Sequence, residues 1–148
     1  MIYLICSILI FQSVKDCSEI NSNTELFVLK ITFEKGFSED EISISIENKE
    51  IWKGNHITTN RSTQFTGDLV EIKRVGDKLI VNNNSQILEF EGFKDTDPQN
   101  LRISFKINSK GRVHKKKVDL SKGNHLGVNR SVLGCIWLNQ YDYEFRYM

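Results

Sequence analysis

The chain has 148 residues, 26% of them charged and 39% hydrophobic, with one proline and a formal net charge of +1. One domain with enough chain to bury a core is the natural reading of that length. The composition excludes collagen-like, coiled-coil, acidic-tail and disulfide-dense scaffolds, and the near-neutral balance gives no ground for a chain-wide nucleic-acid binder.

The N-terminus opens on an apolar run, Ile2 to Phe11, followed at once by Gln12, Ser13, Lys15 and Asp16. Ten residues are too few for a membrane-crossing helix, which needs about 20, but they match a secretory h-region. No Lys or Arg precedes the run, and no pair of small residues stands where signal peptidase would cut. Leu9-Ile10-Phe11-Gln12-Ser13 looks like the lead-in to a lipobox, yet Val14 stands where the cysteine belongs, and Asp16 spoils the fit at Cys17. The expectation is a signal- or anchor-like leader over residues 1–17 and a single domain over 18–148. The protein would then be exported to a periplasm, cell envelope or extracellular space, touching membrane only through that leader if it is uncleaved or lipidated. A buried first strand of a cytosolic protein is the alternative.

Of the three cysteines, Cys17 and Cys135 would pair in an oxidising compartment. The stronger reading makes Cys135, which sits in an apolar run, a small free hydrophobe.

Beyond residue 25 the hydrophobic pattern has period two, the mark of half-buried strands. Phe27, Leu29, Ile31 and Phe33 alternate along one face, and Ile42, Ile44 and Ile46 alternate with Ser43 and Ser45. Glu47-Asn48-Lys49-Glu50 turns the chain into Ile51-Trp52. Val70 and Ile72 oppose Glu71 and Lys73, and Val75-Gly76-Asp77 leads into Leu79-Ile80-Val81. The Asn82–Ser85 cluster reads as a turn because Asn tolerates left-handed backbone. Asp95 to Asn100 is the strongest loop signal.

Leu101, Ile103, Phe105 and Ile107 then alternate with polar partners, and Ser109-Lys110-Gly111 turns into a basic run ending at Val118. Residues Leu133 to Leu138 are apolar on both faces, which suits the middle of a sheet. Tyr141, Tyr143, Phe145 and Tyr147 then share one face, expected to be core. No window carries a sustained helical pattern. Nine or ten short runs with turns between them predict an all-β, two-sheet antiparallel β-sandwich, Ig-like or jelly-roll-like, with few or no helices.

The +1 conceals a partition. Residues 19–97 hold nine Lys/Arg against fifteen Asp/Glu, whereas residues 102–130 hold nine Lys/Arg against Asp119 alone. The basic run is charged on both faces, Lys115 and Lys117 with Val113 on one, His114 and Lys116 with Val118 on the other. Such a strand does not suit the centre of a sandwich, so an edge strand or protruding hairpin is expected. Lysines on an edge discourage strand addition by a second molecule; they also make an anion-binding face. Arg112, His114, Lys115, Lys116, Lys117 and Lys122 are the candidate residues. The partner would be a protein, glycan or other anionic surface. Nucleic acid is not expected, because no aromatic residue is interleaved with the basic ones.

Catalysis has no positive signal. His56, His114 and His125 sit in no nucleophile motif, and there is neither a Gly-x-Ser-x-Gly nor a P-loop. The histidines are 58 and 11 residues apart, unlike close zinc spacing. Asp95-x-Asp97 with Asn100 lacks the glycine and distal glutamate of an EF-hand loop. No metal or cofactor is therefore assigned. Three Asn-x-Ser triplets, at Asn60, Asn83 and Asn129, are formal glycosylation acceptors, meaningful only in a eukaryotic secretory pathway.

The reading is an exported, non-catalytic binding module that engages an anionic partner through a basic edge hairpin. The alternative is a carbohydrate-binding accessory domain presenting Trp52, Trp137, Tyr141 and Tyr143. A hydrolase with a loop-assembled site is a third class.

Overall fold

The computed structural model describes residues 25–142. The expected leader over 1–17, Cys17, Tyr143, Phe145 and Tyr147 lie outside the described residues. Within them the chain forms ten strands: β1 (Glu25–Phe33), β2 (Asp40–Ile46), β3 (Lys49–Ile57), β4 (Leu69–Val75), β5 (Lys78–Asn83), β6 (Gln86–Phe90), β7 (Leu101–Ile107), β8 (Val113–Val118), β9 (His125–Arg130) and β10 (Ile136–Tyr141). A single 3-10 turn, Leu120–Lys122, separates β8 from β9.

The strands make a two-sheet β-sandwich, as the period-two pattern predicts. One sheet has six strands in the order β10-β9-β1-β4-β5-β6 and the other four in the order β3-β2-β7-β8. The ladders are antiparallel except that of β1 with β9, which is parallel. Parallel neighbours need a long crossover, and here the chain visits the four-stranded sheet before β9 returns beside β1.

Alternation builds the core. Leu29, Ile31 and Phe33 of β1, with Val70, Ile72, Leu79, Leu126 and Val128, face Ile42, Ile44, Ile46, Leu101, Ile103 and Phe105 of the other sheet, all essentially inaccessible. The β-branched isoleucines suit a pleated surface packed on one side. Trp52 joins them, stacked on Phe33 with ring centroids 5.5 Å apart.

Turn chemistry fixes the registers. Glu47 and Asn48 both take positive φ, 49° and 66°, as a two-residue type I′ hairpin between β2 and β3 demands. The Asn82–Ser85 turn forms where expected but by another device. None of those asparagines is left-handed; instead Asn83 Oδ1 accepts from Ser85 N, Ser85 Oγ and Gln86 N.

Two buried groups lock the loops. Arg74 donates to the carbonyls of Lys94, Thr96 and Gly76, pinning the 91–100 segment to the β4–β5 turn. Asp40 accepts from Ser38 N, Asn108 Nδ2 and Arg130 Nη1, the last at 2.6 Å, and so ties β2, the β7–β8 loop and β9 together.

The Leu133–Leu138 segment departs from expectation. It is no central strand: 131–135 is a turn, and β10 begins at Ile136 on the edge of the six-stranded sheet. Gly134, at φ 80°, breaks the run. Cys135 is accordingly an exposed free thiol, not a small buried hydrophobe.

Candidate functional site

The basic run forms β8, and β8 is an edge strand of the four-stranded sheet, as its two-faced charge requires. It pairs with β7 so that Lys115 faces Ser104, Lys117 faces Arg102 and Val113 faces Lys106. Because Leu101, Ile103, Phe105 and Ile107 point into the core, their alternates Arg102, Ser104 and Lys106 point outward, and Lys115 and Lys117 go with them. His114 and Lys116, opposite Phe105 and Ile103, lie half-buried along the inner margin of the sheet.

Arg102, Ser104, Lys115, Lys116 and Lys117, with Asn48 and Ile103, line a shallow groove of about 390 Å³ at this sheet edge. Two residues along a strand span about 6.6 Å, and directly opposed residues about 5 Å. These separations lie within the ~8 Å screening length of physiological salt, so the cationic fields add. Glu47 offsets part of this, since its carboxylate takes Arg102 in a bond of 2.7 Å from Nε and an ion pair of 2.6 Å from Nη2. Among the described residues, Lys106, Lys110, Arg112, Lys115, Lys116 and Lys117 enter no ion pair.

The remaining candidates divide. Arg112 and His114 line a second groove, of about 360 Å³, at the far end of β8, together with Lys110, Asn108 and Arg130. Burial, and then the charges of Arg112 and Lys116, hold the His114 pKa below its usual 6.5. Lys122 belongs to neither groove; it sits 3.6 Å from Asp119, whose carboxylate also caps the 3-10 turn through Ser121 N. The six basic candidates therefore form two neighbouring surfaces and one outlier.

The aromatic candidates do not assemble into a platform within the described residues. Trp52 is 5% exposed, so neither ring face is open to a sugar. A β-bulge between Ile44 and Ser45 shifts the register and lets Ile51 and Trp52 both be buried. Trp137 is 43% exposed on β10. Tyr141 is half-buried, on the outer face of the six-stranded sheet rather than in the core, edge-on to His125. Tyr143 lies outside the described residues.

That outer face carries a buried polar group of residues that the period-two reading passed over. Asn129 Nδ2 donates to Glu34 Oε2 at 2.7 Å, Tyr141 donates its hydroxyl to Glu34 Oε1 at 3.4 Å, and His125 Nε2 lies 3.0 Å from Thr32 Oγ1. Burial, the largest effect, and Lys30 lower the His125 pKa against the opposing pull of Glu34. Any side chain larger than hydrogen at Gly127 would overlap the Glu34 carboxylate. His56 pairs at 2.9 Å with Glu39 on an exposed corner, with both residues at positive φ. Among the described residues no three His, Cys, Asp or Glu side chains gather as a metal site would require. Lys110 enters the second groove with the basic run to which it belongs, whereas Arg102 joins through pairing with Lys117 and Arg130 through its bond to Asp40, for which no local sequence signal exists.

No protein-family model matches the chain, and no curated protein or solved structure matches it.

Proposed function

We propose that this protein is an exported, non-catalytic binding module whose basic edge strand β8 engages an anionic partner. One observation carries the reading: Lys115 and Lys117 project together from a sheet edge, beside Arg102, with no carboxylate in ion-pair range of either lysine among the described residues. Edge protection alone needs one lysine, not a run charged on both faces. Anions of extended shape, such as a sulfated glycan or an acidic peptide, match a shallow groove better than a small buried ligand does. The apolar Ile2–Phe11 run supports export.

The full chain is expected to be retained on heparin resin and released by moderate salt, since screening weakens an exposed charge field. The K115A/K116A/K117A variant should elute well before the parent. Equal retention of that variant would overturn the proposal.

A further inference from the structure

The turn between β9 and β10 has an ordinary backbone, an i to i+3 turn followed by left-handed Gly134 at φ 80°, but unusual side chains. Ser131 organises it: its carbonyl accepts from Gly134 N at 2.9 Å, its N donates to the Cys135 carbonyl at 2.9 Å, and its Oγ accepts from Cys135 N at 3.1 Å. The two corner positions usually belong to Gly, Pro, Asn or Asp. Here they hold Val132 and Leu133, 103% and 88% exposed. Neither side chain is part of the core. Adjacent large apolar side chains at a protruding tip mark a contact surface.

The tip also forms one wall of the second groove. Leu133 and Gly134 stand on one side, Lys110, Arg112 and His114 on the other, with Arg130 between. No carboxylate lines this groove. Arg130 is neutralised by Asp40, whereas Lys110 and Arg112 enter no ion pair among the described residues.

An occupant must satisfy both features at once. An acidic peptide or a soluble anion matches the cations and leaves the apolar corners in water. An apolar protein surface matches the corners and strips the cations of solvent without a partner. A bilayer with anionic headgroups supplies phosphate at one level and hydrocarbon some 5–10 Å beneath it. We propose that the β9–β10 tip and its flanking groove dock on an anionic membrane, with Val132 and Leu133 entering the headgroup–acyl boundary while Lys110 and Arg112 meet lipid phosphates. This surface shares only Arg112 and His114 with the edge-strand reading, so each can fail without the other.

The test is co-sedimentation of the full chain with phosphatidylcholine vesicles, with and without phosphatidylserine. Each surface Lys or Arg contributes about fivefold to partition onto an anionic bilayer. Phosphatidylserine vesicles should therefore bind the parent by an order of magnitude more than neutral ones. V132S/L133S and K110A/R112A should each lose about tenfold of that binding, with circular dichroism unchanged because all four positions lie on surface turns. Retention of V132S/L133S on heparin should equal the parent's. The Ile2–Phe11 run bears no charged side chain and is common to all variants, so it cannot produce these differences. Three outcomes would overturn the proposal: no preference for phosphatidylserine, V132S/L133S sedimenting like the parent, or soluble glycerophosphoserine displacing the parent from vesicles as readily as it displaces V132S/L133S. The last two would identify a soluble-anion or acidic-protein site instead.

Discussion

At the scale of single residues, buried charge sets the most sensitive points. Asp40 is 3% exposed and holds three donors from three different segments, including the guanidinium of Arg130. Removing one member of such a pair leaves the other half-buried and uncompensated, at a cost of about 3 kcal/mol. D40A is expected to lower the unfolding free energy by that amount, read as a lower urea midpoint with an unchanged denaturant slope, and D40N by less, since the amide oxygen still accepts from Ser38 N. An unchanged midpoint for D40A would show that the contact contributes nothing.

The histidines make a prediction of definite sign. His114 shares its groove with Lys110 and Arg112 of the β7–β8 loop and with Arg130 and Cys135, and Lys116 follows it two residues on along β8. His125 faces Thr32, Glu34, Lys30 and Tyr141. Both pKa values are lowered from 6.5 in the folded chain, so the unfolded chain binds protons first as pH falls. Their stabilising contribution is complete above about 6.5, declines as pH drops from there to the folded values, and is constant below. Denaturation at a series of pH values should show this decline, and H114Q should flatten part of it. Anion retention should move the other way, because a protonated His114 adds charge to the groove.

At the scale of elements, β8 is the informative strand. Its alternation puts cations on both faces, and only an edge with water on each side of the charged atoms accepts that pattern. If the lysines also guard the edge, replacing Lys115, Lys116 and Lys117 by Thr leaves a strand with free backbone groups and high β-propensity. Light scattering should then show concentration-dependent association that the parent lacks; a monodisperse variant would assign the lysines to binding alone. The segment 133–138 shows the opposite relation between pattern and place. Apolar residues on both faces predict a central strand, yet Gly134 at positive φ and the hydrogen bonds of Ser131 turn the chain there, and β10 lies at an edge. Periodicity reports what a strand buries only where the run is a strand throughout.

At the scale of the whole molecule, the +1 net charge describes no part of the surface. The basic stretch 102–130 folds into β7, β8, β9 and the turns between them, and the side of the sandwich where β8 and the β9–β10 turn come together collects cations. Lys115 and Lys117, two residues apart, share one face because period two repeats along β8. Arg102 reaches its groove by pairing with Lys117, and Arg130 reaches the second by its bond to Asp40 of the other sheet.

The sequence by itself determined the class of fold, the inward faces of β1, β2, β4 and β7, and the edge position of β8. Each follows from local alternation of apolar and polar side chains and the cost of burying charge. Only the tertiary structure decided which of two tryptophans is buried, that β9 runs parallel to β1, that Glu34, Asn129 and Tyr141 meet, and that an apolar turn stands beside Arg112. Those outcomes depend on which strands become neighbours and in what register. That choice is made by the summed packing of both sheets, so no short window of residues contains it.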